Sequence, residues 1–131
     1  MIVLDTHAWV WWVSDPDRVS GPARLAIEQA RGVGALLASS ISAWEVAMLA
    51  ARGRLELTIP VEEWIARCEA VPGMRFVPVN NAIALRSVNL PGTLHPDPAD
   101  RIIVATALEK KARLITKDAR LQAYPHVQTL W

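Results

Sequence analysis

Apolar residues along the chain alternate between short unbroken runs and longer interrupted ones. MIVL at 1–4, ALLAS at 35–39, RFVPV at 75–79 and RLIT at 113–116 are too short for helices. Bounded by turn formers or acids, they suit strands buried on both faces of a parallel sheet. Helical spacing fills the intervals. HAWVWWV, at 7–13, predicts a short helix stopped by the turn Ser14-Asp15-Pro16-Asp17. Ser20 predicts the cap of a helix over 22–31, and Ser42 that of a helix over 43–52, with Gly53 after it. Further helices are predicted over 61–70 and 81–88, then a long one opened by Asp97 and Pro98 and running to 112, then a short one over 119–123. Val127–Leu130 reads as a last edge strand. This alternation predicts an α/β fold in one domain over 1–131: a three-layer α/β/α arrangement around a central, mainly parallel sheet of four to five strands.

Composition narrows the function classes. Lys and Arg number 14 against 13 Asp and Glu, a formal net charge of +1, which argues against binding nucleic acid through overall charge. The single Cys68 excludes an intramolecular disulfide and a cysteine-built zinc site, and a reducing cytoplasmic compartment is expected. The first residues carry no basic leader and no small-residue cleavage site. The longest apolar stretch without Lys or Arg, Gly32 to Ala51, holds Glu45 near its middle. A charge there costs roughly 2.5–3.5 kcal/mol on membrane insertion, so no membrane span is expected.

Four acids stand at element ends or on an apolar face, and each has two readings. Asp5 ends the first apolar run, where the carboxyl edge of a parallel sheet forms a ligand crevice; it equally suits a helix N-cap. Glu45 shares a helix face with Met48 and Leu49, and must be paired, neutralised or coordinated there. Arg52 is its candidate ion-pair partner. Asp100 lies in the first turn of the long helix, favoured by the helix dipole, with Asp97 three residues before it as the better cap. Asp118 follows RLITK, another strand ending in an acid, and also suits a cap. Jointly the four belong near one sheet edge. Such a cluster cannot be fully ionised without a cation. Hard oxygen donors, no cysteine pair and no regular histidine spacing point to Mg²⁺, with Mn²⁺ as a substitute. That donor set suits metal-assisted phosphodiester hydrolysis.

The segments MIVLDTHAWVWW, SSISAWEVAMLAARGRL, HPDPADRIIVATALEKKARLITKD and VQTLW resemble the PIN-domain nucleases, in particular the VapC-like toxins of bacterial type II toxin–antitoxin pairs. The likeness runs over nearly the whole chain. It implies a Mg²⁺-dependent endoribonuclease acting on RNA. It also implies a homodimer, and a small cognate antitoxin encoded beside it that blocks the site, in a heterotetramer or larger assembly. By that resemblance Asp5, Glu45, Asp100 and Asp118 are the catalytic, metal-holding acids, with Asp97 as the second choice for the third. Thr6 and Thr116 stand beside the first and last acids and are candidates for orienting them. Arg101, Lys117 and Arg120 are candidate RNA contacts.

Other residues are less specific. His7, His95 and His126 lack metal-binding spacing, though His95 lies close enough before Asp97 to meet a substrate. Trp9 and Trp12 share a helix face and suit packing, while Trp11 points away from it, toward a second chain. The rival to a nuclease is a noncatalytic Mg²⁺-binding α/β regulatory module. A receiver of that kind needs paired acids after its first strand and an Asp after its third. Here Asp5 stands alone and RFVPV ends in Asn80-Asn81, which disfavours it.

Overall fold

In the computed structural model, which describes all residues 1–131, each short apolar run becomes a strand of one parallel sheet. The strands are β1 (Ile2–Leu4), β2 (Leu36–Ser39), β3 (Met74–Val77), β4 (Arg113–Ile115) and β5 (Thr129–Leu130). Their spatial order is β3-β2-β1-β4-β5, and Leu4 is in register with Ala38 on one side and Ile115 on the other. The period-two geometry of a strand divides their side chains between two cores. Ile2, Leu4, Leu36, Ala38 and Ile115 face one; Val3, Leu37 and Leu114 face the other.

Helices α1 (Thr6–Ser14), α2 (Gly21–Gly32) and α4 (Val61–Glu69) cover the first face. Trp9 is fully buried there, its ring 4.8 Å from that of Trp64 and 5.3 Å from that of Phe76. Helices α5 (Asn81–Val88), α6 (Pro98–Lys110) and α7 (Ala119–Ala123) cover the second. Helix α3 (Ser40–Ala51) lies at the strand ends, between α1 and α6. No helix is long and apolar enough to cross a membrane.

Three boundaries depart from expectation for local reasons. Helix α3 starts at Ser40, because the Ser39 hydroxyl accepts from the Ile41 N–H; Ser42, expected as the cap, is buried inside the helix. Strand β3 stops at Val77, since Pro78 has no N–H to continue the ladder. The turn after α1 winds into a 3-10 helix over Pro16–Arg18.

The strand order fixes where a ligand can go. From β1 the chain moves outward through β2 and β3, then returns to the other side of β1 for β4 and β5. The reversal lies between β1 and β4. The connections on its two sides cover opposite faces, and the crevice opens beyond the carboxyl ends of those two strands.

Candidate metal centre at the sheet edge

Asp5 follows β1 directly and therefore stands at the reversal. Its carboxylate caps α1, accepting from the Ala8 N–H at 2.8 Å, and the residue is only 7% exposed. Burial pushes its carboxyl up to about 6, against the stabilising Thr116 hydroxyl and Ala8 N–H; the Asp100 charge pushes the same way as burial. Thr116, two residues before Asp118, is fully buried and its Oγ1 accepts from the Asp118 N–H. Both acid-bearing strand ends are thereby tied through one hydroxyl.

Glu45 comes in from α3. It has no ion pair with Arg52, which lies past the helix end, and instead accepts from Thr6 Oγ1 at 2.5 Å. The Thr6 hydroxyl has one proton, so its 2.9 Å contact with Ser42 Oγ is a bond it accepts. Burial is also the main reason the Glu45 carboxyl lies above the ordinary range, with Asp100 and Asp97 adding repulsion.

Asp97 and Asp100 separate in role. Asp97 is the N-cap of α6, taking the Asp100 N–H at 3.0 Å on an exposed side chain. The Asp100 side chain is largely buried, and burial raises its carboxyl as well. His95 Nε2 lies 2.7 Å from Asp100 Oδ2, while its buried Nδ1 has no partner. Asp118 caps α7 and pairs with Arg120 at 3.0 Å, which lowers its carboxyl; the same guanidinium lies 3.8 Å from Asp100.

These side chains line one open pocket of about 500 Å³: Asp5, Glu45, Asp97, Asp100 and Asp118, with Thr6, His7, Trp11, Lys117 and Arg120. Thus all four expected acids, their second choice Asp97, and two of the three expected basic residues face the same space. Arg101 does not. Its guanidinium donates to the carbonyls of Ser87, Leu94 and Val88, so it straps down the loop before α6. Trp11, expected to lie off the face shared by Trp9 and Trp12, is the pocket's one apolar lining residue. Sequence reasoning gave no role here to His7 and missed the pairing of His95 with Asp100. The histidine reaches its partner through an irregular loop, where no periodicity signals which side chains meet.

The chemistry of the donor set fits a hard divalent cation: carboxylate and hydroxyl oxygens, no thiol, and three acids raised by burial without enough cationic partners. As placed, no three of the His, Cys, Asp or Glu side chains converge to hold an ion. His95 and Arg120 instead hold Asp100 and Asp118.

The PIN domain family model matches residues 2–127, almost the whole of the fold just described. The chain belongs to the PIN-domain family. Ribonuclease VapC22 of Mycobacterium tuberculosis (strain ATCC 25618 / H37Rv) is 39% identical to it over 132 residues, covering 99% of this chain and 98% of that protein. Among solved structures, VapBC2 of Rickettsia felis bound to a promoter DNA fragment superposes with a TM-score of 0.70 at 13% identity, covering 99% of this PIN chain and 98% of the other. A toxin–antitoxin complex from Klebsiella pneumoniae gives 0.65 at 23% identity, over 97% and 95% of the two chains. The expected VapC-like PIN fold is therefore borne out, both in the family match and in the all-parallel sheet.

Proposed function

We propose that this PIN-domain chain is a Mg²⁺-dependent endoribonuclease, with Mn²⁺ as a substitute, and the toxin of a type II toxin–antitoxin pair. The observation that carries the reading is the arrival of Asp5, Glu45, Asp100 and Asp118 from four separate parts of the chain at one pocket. End-to-end likeness to a protein named a ribonuclease supports it.

Asp5 and Asp100 would hold the ion, with Glu45 and Asp118 completing the set. When bound, Mg²⁺ supplies a water of lowered pKa and neutralises charge developing on a phosphate. The chain's own residues do the positioning. The Ala8 N–H and Thr116 fix Asp5, and Thr6 fixes Glu45. Lys117 and Arg120 stand on the pocket wall, where a phosphodiester would pass. Water adds to phosphorus and the P–O3′ bond breaks, leaving a 3′-hydroxyl and a 5′-phosphate.

Such a nuclease needs restraint in the cell. A pocket rich in carboxylates suits an inserted arginine, whose fixed donors match them in pairs. A small antitoxin encoded next to this chain is the partner in the reading, on a homodimeric toxin. Purified protein should cleave end-labelled RNA with Mg²⁺, stop with EDTA, and lose activity on Asp5→Asn. Undiminished cleavage by Asp5→Asn overturns the assignment, and EDTA-resistant cleavage overturns the metal. Expression alone should arrest growth, and co-expression with the adjacent small gene should restore it.

A further inference from the structure

Trp11 is the one apolar side chain on the wall of the acid pocket, and its surroundings are not those of a core tryptophan. Trp9, two residues earlier, is fully buried; Trp11 is half-buried and borders solvent. Its ring lies 5.8 Å from that of exposed His7, inclined at 52°, and 5.8 Å from that of Trp131, edge-on at 65°, so neighbouring rings brace it without stacking flat on it. Cations gather on the same ring. The Arg18 guanidinium carbon is 4.6 Å from its centroid and the Lys117 ammonium 5.8 Å. Arg120 stands on the same pocket wall, its side chain 62% exposed.

Trp11 and Trp131 pack partly against the first core, which fixes the ring in place. Arg18 and Lys117 have no carboxylate partner within salt-bridge distance, although the pocket beside them is acidic. The protein holds two unpaired cations and a flat ring together at the rim of an anionic hole. A ligand that satisfies all three needs a flat, polarisable face and negative charges spaced along a flexible chain. A nucleotide within a single strand has both. Duplex nucleic acid does not, because its bases are already stacked on each other.

We propose that Trp11 is the stacking platform for one base of single-stranded RNA, and that Arg18 and Lys117 contact the phosphates beside that base. The site lies next to the acids, so it fixes which linkage of the strand enters the pocket. This rests on the nuclease reading for the choice of RNA. The platform itself is argued from the rings and cations alone. Arg18 lies on the 3-10 turn after α1, outside every motif singled out by sequence, and meets the Trp11 ring only because that turn folds back over it.

The test measures binding, separately from cleavage. An Asp5→Asn background prevents turnover, and affinity for a fluorescent single-stranded RNA octamer is measured with Mg²⁺ present. A scan places an abasic nucleotide at each position in turn. One position should lose affinity about 5- to 100-fold, the range for a single base on an aromatic ring. In Trp11→Ala that position should become insensitive, with affinity already reduced by a similar factor. Trp11→Phe should restore most of it. Arg18→Ala and Lys117→Ala should instead lower the dependence of log K on log salt by about 0.7 each, which Trp11→Ala should not. The duplex of the same sequence should bind more weakly and ignore Trp11.

A flat abasic scan, with Trp11→Ala binding like its parent, overturns the platform even if the protein cleaves RNA. A clear Trp11-dependent position in a protein that cleaves nothing keeps the platform and overturns the nuclease reading. The scan varies the ligand, so an unstable Trp11→Ala protein does not cloud the result.

Discussion

Replacing Asp5 by Asn keeps the side-chain shape and its ability to accept from the Ala8 N–H, but removes a buried charge. Burial raises this carboxyl from 3.8 to about 6. Between those values the folded protein binds a proton that the unfolded chain has released. Stability therefore falls as pH rises through that window. Below it both states are protonated and Asp5 contributes nothing; above it the full penalty applies. About two units at 1.36 kcal/mol each make the penalty about 3 kcal/mol. Asp118 pulls the other way, because Arg120 lowers its carboxyl, so its stabilising contribution disappears as pH falls. The wild-type curve mixes these with Glu45 and Asp100, whose carboxyls burial also raises. The difference between Asp5→Asn and wild type isolates Asp5.

That difference has two parts. The new amide NH₂ needs partners in a buried place, which sets a constant offset of about 1–2 kcal/mol against the variant. On this offset the charge relief grows from nothing near pH 4 to about 3 kcal/mol near pH 7.5. For a chain of this length the change should move the melting difference by about 10 °C in favour of the variant. Calorimetric melts of both proteins in EDTA at intervals across this range measure it. Adding Mg²⁺ at about 100 times its Kd should then raise wild type by about 2.7 kcal/mol and leave Asp5→Asn nearly unmoved. A melting difference that stays flat across the range, or turns against the variant as pH rises, would falsify the reading of Asp5 as an uncompensated buried carboxylate.

Asp97→Asn retains a capping side chain, so it should cost at most about 0.5 kcal/mol and leave metal affinity largely intact, whereas Asp100→Asn should abolish Mg²⁺ or Mn²⁺ binding in titration calorimetry; the reverse order would move the third ligand to Asp97. Arg101→Ala removes three bonds to the carbonyls of Ser87, Leu94 and Val88. It should destabilise by about 1.5–3 kcal/mol and expose residues 89–97 to hydrogen exchange before the rest of the chain; uniform exchange would show that the strap is not local. Lys111 ends α6 in a left-handed conformation, φ 52°. Lys111→Gly should therefore stabilise by about 0.5–1 kcal/mol in urea melts, and a loss of stability would mean that its side chain holds more than the backbone shows.

Much of this site was legible because a parallel sheet turns local signals into spatial ones. A run such as MIVL followed by Asp5, or RLIT followed by Lys117 and Asp118, says that the acid leaves a strand end. Parallel strands share one carboxyl edge, so two such runs place two acids together without any knowledge of the distance between them. The cap preference likewise separated Asp97 from Asp100 before any contact was known. What stayed hidden depended on contacts across irregular chain. Nothing in LPGTLHPDP says that His95 folds onto Asp100, and nothing in the turn at Asp15–Arg18 says that Arg18 covers Trp11. Helical spacing sets Trp11 apart from Trp9, and does not tell that its own face meets the acid pocket. The start of α3 slipped for a related reason: Ser39, Ser40 and Ser42 can all cap, and register with the sheet decides between them.

Capping and metal binding were posed as rival accounts of these acids, and at Asp5 and Asp118 the cap is present. The two roles are compatible. A cap uses one carboxylate oxygen and fixes the rotamer, which leaves the other oxygen aimed from a known direction. Two features of the pocket lie outside what capping explains. Glu45 caps nothing, sitting mid-helix with only a threonine hydroxyl to satisfy it. Asp5 is far more buried than a cap requires, at a cost of about 3 kcal/mol near neutral pH. A protein with no use for that charge would lower the cost with serine or asparagine, which cap equally well. Keeping a carboxylate there makes sense if a cation neutralises it during function. The partners now seated on the outer acids, His95 on Asp100 and Arg120 on Asp118, are a small local substitute for that charge, and neither reaches Asp5.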